Sequence, residues 1–347
     1  MRTGLTAVLK RIATGLFSAS TLLCLPGIAF AQADFYAGKT ISIYIGFGPG
    51  GAYDLSARVL ARHMGKHLVG GPQIVPKNMP GAGSLRAASY IYSLAPKDGT
   101  EFGIFGRTAP IDPLLGTEGA KYDPLKFTWL GSTSNEVSTC VAWHTSGVKT
   151  ADDVMTRELT VGAAGVTSPS ATLPKVFNAA LGMKFKVISG YPASANALTA
   201  MESGELAGFC SWGWVPMNSM RPDWIRDRKF NVLFQIALRR HPDHPDVPLI
   251  LDYARNGEDR QLLELVVAPQ QFARPFAAPP DLPPERTAQL RAAFEATVND
   301  PAFVEESVRL KLEPELVRYS EIEAIIKRLY SFPPAVIARA REAMQVQ

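Results

Sequence analysis

The sequence predicts an α/β protein of two lobes, each a mainly parallel sheet flanked by helices, with a ligand cleft between the lobes. Three observations carry that expectation. Strand-like and helix-like segments alternate along most of the chain; the alternation pauses in a Pro- and Gly-marked stretch from Pro110 to Pro124 and then restarts; and three strand-to-helix turns are rich in glycine and small residues. A length of 347 residues allows about two cores, and 46% hydrophobic with 20% charged residues excludes a disordered or collagen-like chain.

Residues 1–33 read as a secretory signal peptide. Arg2, Lys10 and Arg11 form a basic start, Ile12 to Ile28 is mostly apolar, and Ala29-Phe30-Ala31 followed by Gln32-Ala33 offers small-x-small cleavage sites. Gly15, Ser18, Ser20 and Pro26 interrupt a run already short for a bilayer. The mature chain is therefore expected in the periplasm. There Cys140 and Cys210, both in strand-like runs, can pair or stay buried thiols, and spacing favours neither. Three of the basic residues leave with the leader, and the nearly neutral remainder argues against a nucleic-acid partner.

In order, the first lobe is expected over residues 34–134. Ile41 to Ile45 is strand, Gly46 to Gly51 a loop, and Leu55, Val59, Leu60, Met64 and Leu68 keep helical spacing until Gly70-Gly71-Pro72. Gln73-Ile74-Val75 is a short strand, Asn78 to Ser84 a second glycine loop, Leu85 to Leu94 a helix, and Glu101 to Phe105 a strand. The second lobe is expected over 135–262: strand from Val137 to Trp143, helix from Asp152, strand Leu159 to Gly162, loop Ala163 to Ser170, and helix Thr172 to Leu181. Strand Lys184 to Ile188, helix Ala195 to Ser203 and strands Leu206 to Cys210 and Asn231 to Ala237 follow. Residues 263–347 return to the first lobe: Leu262 to Ala268 reads as strand, then helices Pro284 to Val298, Pro301 to Leu310, one opened by a capping box Ser320-x-x-Glu323, and Pro334 to Met344.

Gly46-x-Gly48-x-x-Gly51 formally matches a dinucleotide fingerprint, but no acidic residue lies between Asp54 and Asp98 to hold a ribose, and Gly-Lys-Ser/Thr is missing for a P-loop. What remains is the physics of such turns. Glycines let backbone approach a ligand, and free N–H groups at the next helix start favour an anion. The pattern recurs at Pro80 to Ser84 and at Gly162 to Ser168, so an anion held between lobes by backbone amides and the hydroxyls of Thr167 and Ser168 is expected. Asp54 suits an N-cap better than a ligand group. Arg107, after the third strand, can clamp a carboxylate or lie exposed; Tyr191 and Trp212 can wall a ligand or join the core, with core packing preferred for Trp214. His63 and His67 lack the Glu of a zincin, His241-Pro-Asp-His-Pro-Asp246 reads as an extended loop, and no nucleophile elbow occurs, so no catalytic residue, metal or cofactor is expected.

Phe47-Gly-Pro-Gly-Gly-Ala-Tyr-Asp54, Asn78-Met-Pro-Gly-Ala-Gly83 and Ala95-Pro-Lys-Asp-Gly-Thr100 resemble, in order and spacing, signatures of the tripartite tricarboxylate transporter substrate-binding receptors, the Bug family. Tyr122-Asp-Pro124, Gly190-Tyr-Pro192 and His241 to Pro248 are similar to later landmarks. The resemblance implies a two-lobed, type II periplasmic-binding-protein-like receptor, monomeric and non-catalytic, that closes on a small carboxylate and delivers it to the membrane permease subunits of an importer. It places ligand contacts on Gly48, Gly50, Gly51, Ala52 and Asp54 in one lobe and Ala164, Thr167 and Ser168 in the other. Gly106-Arg107-Thr108 and Ser211-Trp-Gly-Trp214 depart from the family pattern, and one Arg beside aromatic side chains suits one or two carboxylates on an apolar body better than citrate. The alternatives are a secreted hydrolase or lyase using Arg107 with Asp54 as base, and a nicotinamide-dependent oxidoreductase.

Overall fold

Strand direction in this protein follows from where the chain passes between two sheets. The structure, a computed structural model, describes residues 35–163, 168–191, 194–214, 217 and 221–345; the expected signal peptide, Ala164 and Thr167 lie outside them. The first sheet holds β1 (Thr40–Ile45), β2 (Gln73–Asn78), β3 (Glu101–Ile104), β4 (Thr128–Ser132), β10 (Pro275–Ala278) and β11 (Val317–Arg318) in the order β11-β4-β10-β3-β1-β2. The second holds β5 (Ser138–Trp143), β6 (Leu159–Ala163), β7 (Phe185–Ser189), β8 (Gly208–Gly213) and β9 (Phe230–Ile236) in the order β7-β6-β8-β5-β9.

Both sheets are mixed. β1 pairs parallel with β2 and β3, and β6 parallel with β7 and β8, whereas β10 runs antiparallel to β3 and β4, and β5 antiparallel to β8 and β9. The reason is topological. β4 leaves the first sheet at the end where β1 and β3 also finish, so β5 enters the second sheet from that side and must run away from it. β10 re-enters the first sheet under the same constraint. The carboxyl ends of β1, β3, β6 and β8 consequently all face the crossover, where open α/β sheets bind ligands.

The helices are α1 (Ala52–Met64), α2 (Leu85–Ser93), α3 (Ala151–Thr156), α4 (Pro169–Leu181), α5 (Ser194–Glu202), α6 (Pro222–Arg226), α7 (Gly257–Val267), α8 (Pro284–Val298), α9 (Pro301–Arg309), α10 (Tyr319–Tyr330) and α11 (Pro334–Gln345). α1, α8 and α9 cover one face of the first sheet over Ile41, Ile43, Phe102 and Phe276. A second apolar cluster continues without a break from α2 and Phe105 through Cys140, Phe177 and Leu263 to α10 and α11, and α11 packs on α4 and α7. Among the described residues, no helix is long and apolar enough to cross a membrane.

Two expectations fail locally, and one strand was not foreseen. Leu262 to Ala268 is the second half of α7, not a strand: Asn256 caps the helix by accepting from Asp259 N–H, and Leu262, Leu263 and Val267 are buried against neighbouring helices, so an apolar run that suits a buried strand suits a buried helix as well. β10 is the returning strand. The Ser320-x-x-Glu323 capping box does not form, because α10 starts from Arg318 as N-cap and Glu323 pairs with Arg291. β4 has no counterpart in the sequence reading; its Gly131 sits at φ 147° beside the ring of Phe294, where a Cβ would come within 2.5 Å.

Cys140 and Cys210 face each other across β5 and β8 and form a disulfide that closes a loop of 70 residues. Closing such a loop stabilises the fold by about 4 kcal/mol in the chain-entropy account. The double variant Cys140→Ala/Cys210→Ala should lower the unfolding free energy by ~2–4 kcal/mol, read as a lower urea midpoint; an unchanged midpoint would show that the surrounding sheet does not need the link.

Candidate functional site

The site is built from three turns at the carboxyl ends of β1, β2 and β3. A Cβ on Gly46 would fall 2.4 Å from Ser84 Cβ, so glycine is what lets the first two turns touch. The Ser84 hydroxyl accepts the Gly106 N–H at 2.7 Å, which ties in the third turn. Phe47 stacks on Tyr53 with ring centroids 4.2 Å apart, and the Tyr53 hydroxyl accepts the Arg107 N–H at 3.1 Å. Gly48, Gly50 and Gly51 border open space, since a Cβ on any of them would meet nothing within 4 Å.

Asp54 organises this loop. It is not the N-cap, which is Gly51; it stands in the first turn of α1 and reaches back to accept the Gly50 N–H at 2.9 Å. Both of its oxygens also accept from Arg58 Nε at 2.9 Å, and one accepts from Asn78 Nδ2 at 2.8 Å. Burial pushes its pKa up, but the bonds from Arg58, Gly50 and Asn78 outweigh burial and hold the carboxyl below its ordinary range. Asn78 also donates to Phe47 O at 2.9 Å, which joins the two glycine turns a second time. The amides of Ala52 and Tyr53, in the first turn of α1, have no partner within the helix.

Arg107 is neither exposed nor a free clamp. Its guanidinium sits 2.8 Å from Glu136 and donates to Gln270 Oε1 at 2.5 Å, and those two residues belong to the two segments that cross between the sheets. Arg274 lies over the Tyr53 ring, 4.5 Å from its centroid, and 3.9 Å from Glu136. A cavity of about 170 Å³ opens beside these groups, lined by Ala52, Ser56, Glu136, Arg274 and Glu313 among others. Burial, reinforced by the charge of Glu136, pushes the Glu313 carboxyl up to about 7.

In the second lobe, Ser168 is the N-cap residue of α4, with its hydroxyl 2.9 Å from that of Ser170. Tyr191 follows β7 and donates its hydroxyl to Glu205 at 2.7 Å. Trp212 corrects the aromatic-wall expectation. It is buried, with ring centroids 5.9 Å from Trp224 and 6.0 Å from Phe230, because a bulge at Ser211, φ 65°, shifts the register of β8 and turns Trp212 onto the same apolar face as Phe209, covered by α5 and α6. Trp214, two residues on, lines a cavity of about 780 Å³. His63 and His67 contact Glu306 and Asp300 at 2.7 and 3.0 Å, the surface packing expected of them. Among the described residues, no group of three or more His, Cys, Asp or Glu side chains is placed to hold a metal.

Sequence reading missed Glu136, Gln270, Arg274 and Glu313, which lie in connections between the main elements without a motif, Gln270 at the end of a short 3-10 helix. Arg58 was discoverable, as a cation four residues after Asp54 on one helix face.

No protein-family model matches the chain. It is 25% identical over 309 residues to a UPF0065 protein of the gbd 5′ region of Cupriavidus necator, covering 86% of this chain and 87% of that one. A TctC solute-binding protein from Polaromonas superposes with a TM-score of 0.67 at 16% identity, covering 89% of this chain and 98% of its own. MatC from Rhodopseudomonas palustris, solved with bound malate, superposes at 0.55 and 22% identity over 88% and 99%. The fold is thus the two-lobed one of periplasmic solute-binding proteins, and the resemblance carried by the glycine turns extends to the whole framework.

Glu313 yields a signed expectation. A carboxyl whose folded pKa of about 7 exceeds its unfolded value near 4.5 binds a proton more tightly when folded, so its ionisation removes stability as pH rises from 4.5 through 7. Glu313→Gln should therefore raise the melting temperature at pH 8 and change it little at pH 4.5. Equal shifts at both values would refute the raised pKa.

Proposed function

We propose that this chain is a periplasmic solute-binding receptor that captures a small carboxylate between its lobes and delivers it, as a monomer, to the membrane permease subunits of a tripartite tricarboxylate-type transporter. The observation that carries this reading is the glycine turn before α1: Gly48, Gly50 and Gly51 border open space, the first amides of α1 are unpartnered within the helix, and Asp54 holds the turn from behind. An anion approaching there meets oriented N–H donors and the positive end of α1. Ala164, Thr167 and Ser168, before α4, are proposed as the matching contacts of the second lobe, with Tyr191 beside them. The malate bound by MatC supports a carboxylate ligand.

Closure is the proposed mechanism. The two crossing segments run side by side, with Thr133 N–H donating to Arg274 O at 3.3 Å, Ala273 N–H to Ser134 O at 3.2 Å and Glu136 N–H to Gln270 O at 3.0 Å. Bending there preserves both sheets, and a ligand that contacts both helix starts stabilises the closed form only. Arg107 acts from this hinge through Glu136 and Gln270. The hydrolase reading loses its base, because the bonds from Arg58, Gly50 and Asn78 occupy the Asp54 carboxylate and lower its pKa, which makes it a poor proton acceptor.

Gly51 has φ −82° and Gly48 has no positive φ, so valine fits the backbone at either position and only occupies the space offered to the anion. Gly48→Val and Gly51→Val should each weaken malate or succinate binding by at least about tenfold, ~1.4 kcal/mol, with unchanged melting temperature. Calorimetry reads the affinity, and small-angle scattering should show ligand-dependent compaction of the unsubstituted protein. Undiminished affinity in both variants would remove the glycine turn from the site.

A further inference from the structure

The cavity beside Trp214 is not explained by a receptor for a short acid. It measures about 780 Å³ and lies between the turn after β9, at Arg239 to Pro242, and the segment that follows α9, at Lys311 to Glu315. A volume of that order holds a ligand body much larger than malate. It shares Lys311, Leu312, Glu313 and Pro314 with the smaller cavity that carries Ala52, Ser56 and Arg274. The two cavities thus share one wall, with the start of α1 on one side of it and Trp214 on the other.

The large cavity has an apolar, braced side. Val308, Leu312, Pro242 and Pro314 line it together with Trp214, and Val308 is 60% exposed despite its apolar side chain. Trp214 N–H donates to Val137 O at 3.0 Å, and its ring packs against His244 with centroids 3.6 Å apart. His244 is fixed in turn by Gln235, a buried amide on β9 that donates to His244 O at 2.8 Å and Val247 O at 2.9 Å and accepts the His241 N–H at 2.7 Å. This accounts for the His241-Pro-Asp-His-Pro-Asp246 run. Its prolines and the Gln235 bonds make a rigid turn that backs Trp214 and brings His241 to the cavity wall.

Both cavities carry mixed charge. Arg274 and Glu136 line the small one, Glu315 lines the large one with Arg239 and Arg240, and Lys311 and Glu313 lie on the wall they share. Of the cations at the large cavity, Arg239 pairs with Glu321 and Arg240 with Asp252.

We propose that the Trp214 cavity is a second compartment of the ligand site, which takes the apolar or aromatic body of a carboxylate whose charged head lies at the start of α1. The inference rests on the carboxylate-receptor reading above. Its ligand class is an acid with a single charged head on an extended apolar or aromatic chain, and Trp214, Leu312 and Val308 are the residues that select it.

The test is calorimetry with 3-phenylpropionate, octanoate, malate and citrate against the unsubstituted protein, Val308→Glu and Trp214→Phe. Val308 is exposed, so its variant should melt as the parent does, and Trp214→Phe keeps an aromatic ring if a smaller change is needed. The expected result is that 3-phenylpropionate or octanoate binds at least tenfold more tightly than malate, and that Val308→Glu removes this advantage while changing malate affinity less than twofold. Malate or citrate binding tightest, or apolar acids indifferent to both substitutions, overturns the second compartment and leaves the carboxylate receptor standing. Binding of none of the four acids overturns both.

Discussion

The turns of the candidate site are positioned by two connecting segments that lie against each other between the sheets. Residues 133–137 carry the chain out of the first sheet and residues 270–274 bring it back, joined by backbone hydrogen bonds and by Arg107 reaching to Glu136 and Gln270. Because both passages occur at the same end of the sheets, the strands that finish there present every loop of the site to one cleft. The antiparallel placement of β5 and β10 is the cost of that arrangement. The hinge is also polar: Arg107, Glu136 and Arg274 lie close together, so the segments that must bend are held by charge pairs and backbone bonds rather than by apolar packing alone.

The first lobe solves a different problem, that of keeping a glycine-rich turn in one shape while the first amides of α1 stay without a partner inside the helix. Glycine raises the entropy lost on ordering. Asp54 offsets this by gathering Gly50, Arg58 and Asn78 around one buried carboxylate, and Asn78 carries the constraint on to Phe47. A buried ion pair contributes little net stability after desolvation, yet losing one partner strands a charge. Its contribution here is to the shape of the loop. The binding surface is then left to backbone N–H groups, which need no side-chain rotamer to be ordered when an anion arrives.

Motion at the hinge has to be reconciled with a core that does not stop at the hinge. The cluster from α2 through Cys140 and Phe177 to α11 is continuous, and α11 packs on α4 and α7 of the second sheet. On the opposite face the two sheets keep separate cores, one around Ile43 and Phe294 and one around Trp212 and Trp224. The proposed closure would pivot about the continuous face and open on the face that carries the cavities lined by Arg274 and Trp214. A disulfide between adjacent strands of the second sheet stiffens one lobe without crossing this pivot.

Alternation of strand and helix, the glycine turns at Gly46 to Gly51 and Asn78 to Ser84, and the order of their signatures were legible in the sequence, because each depends on neighbours within a few residues. The same locality explains the opening of α3, where Thr150 and Asp153 cap each other. Helix α7 was misread for want of context, since Leu262 to Ala268 is buried on several sides and burial erases the period that separates helix from strand. Trp212 and Trp214 are both buried in the core around Trp224, the packing preferred for Trp214, and Trp214 also lines the large cavity. Sequence alone could not show this, because the bulge at Ser211 breaks the alternation of β8 and the chain beyond it turns toward Val137 and His244. Arg107 likewise became a hinge residue only because Glu136 and Gln270, 29 and 163 positions away, arrive beside it. The sequence by itself determined which turns could accept an anion, for that is a property of backbone conformation. Tertiary structure decided which charges remain free and how large a space lies beyond them, because both depend on partners brought together from distant parts of the chain.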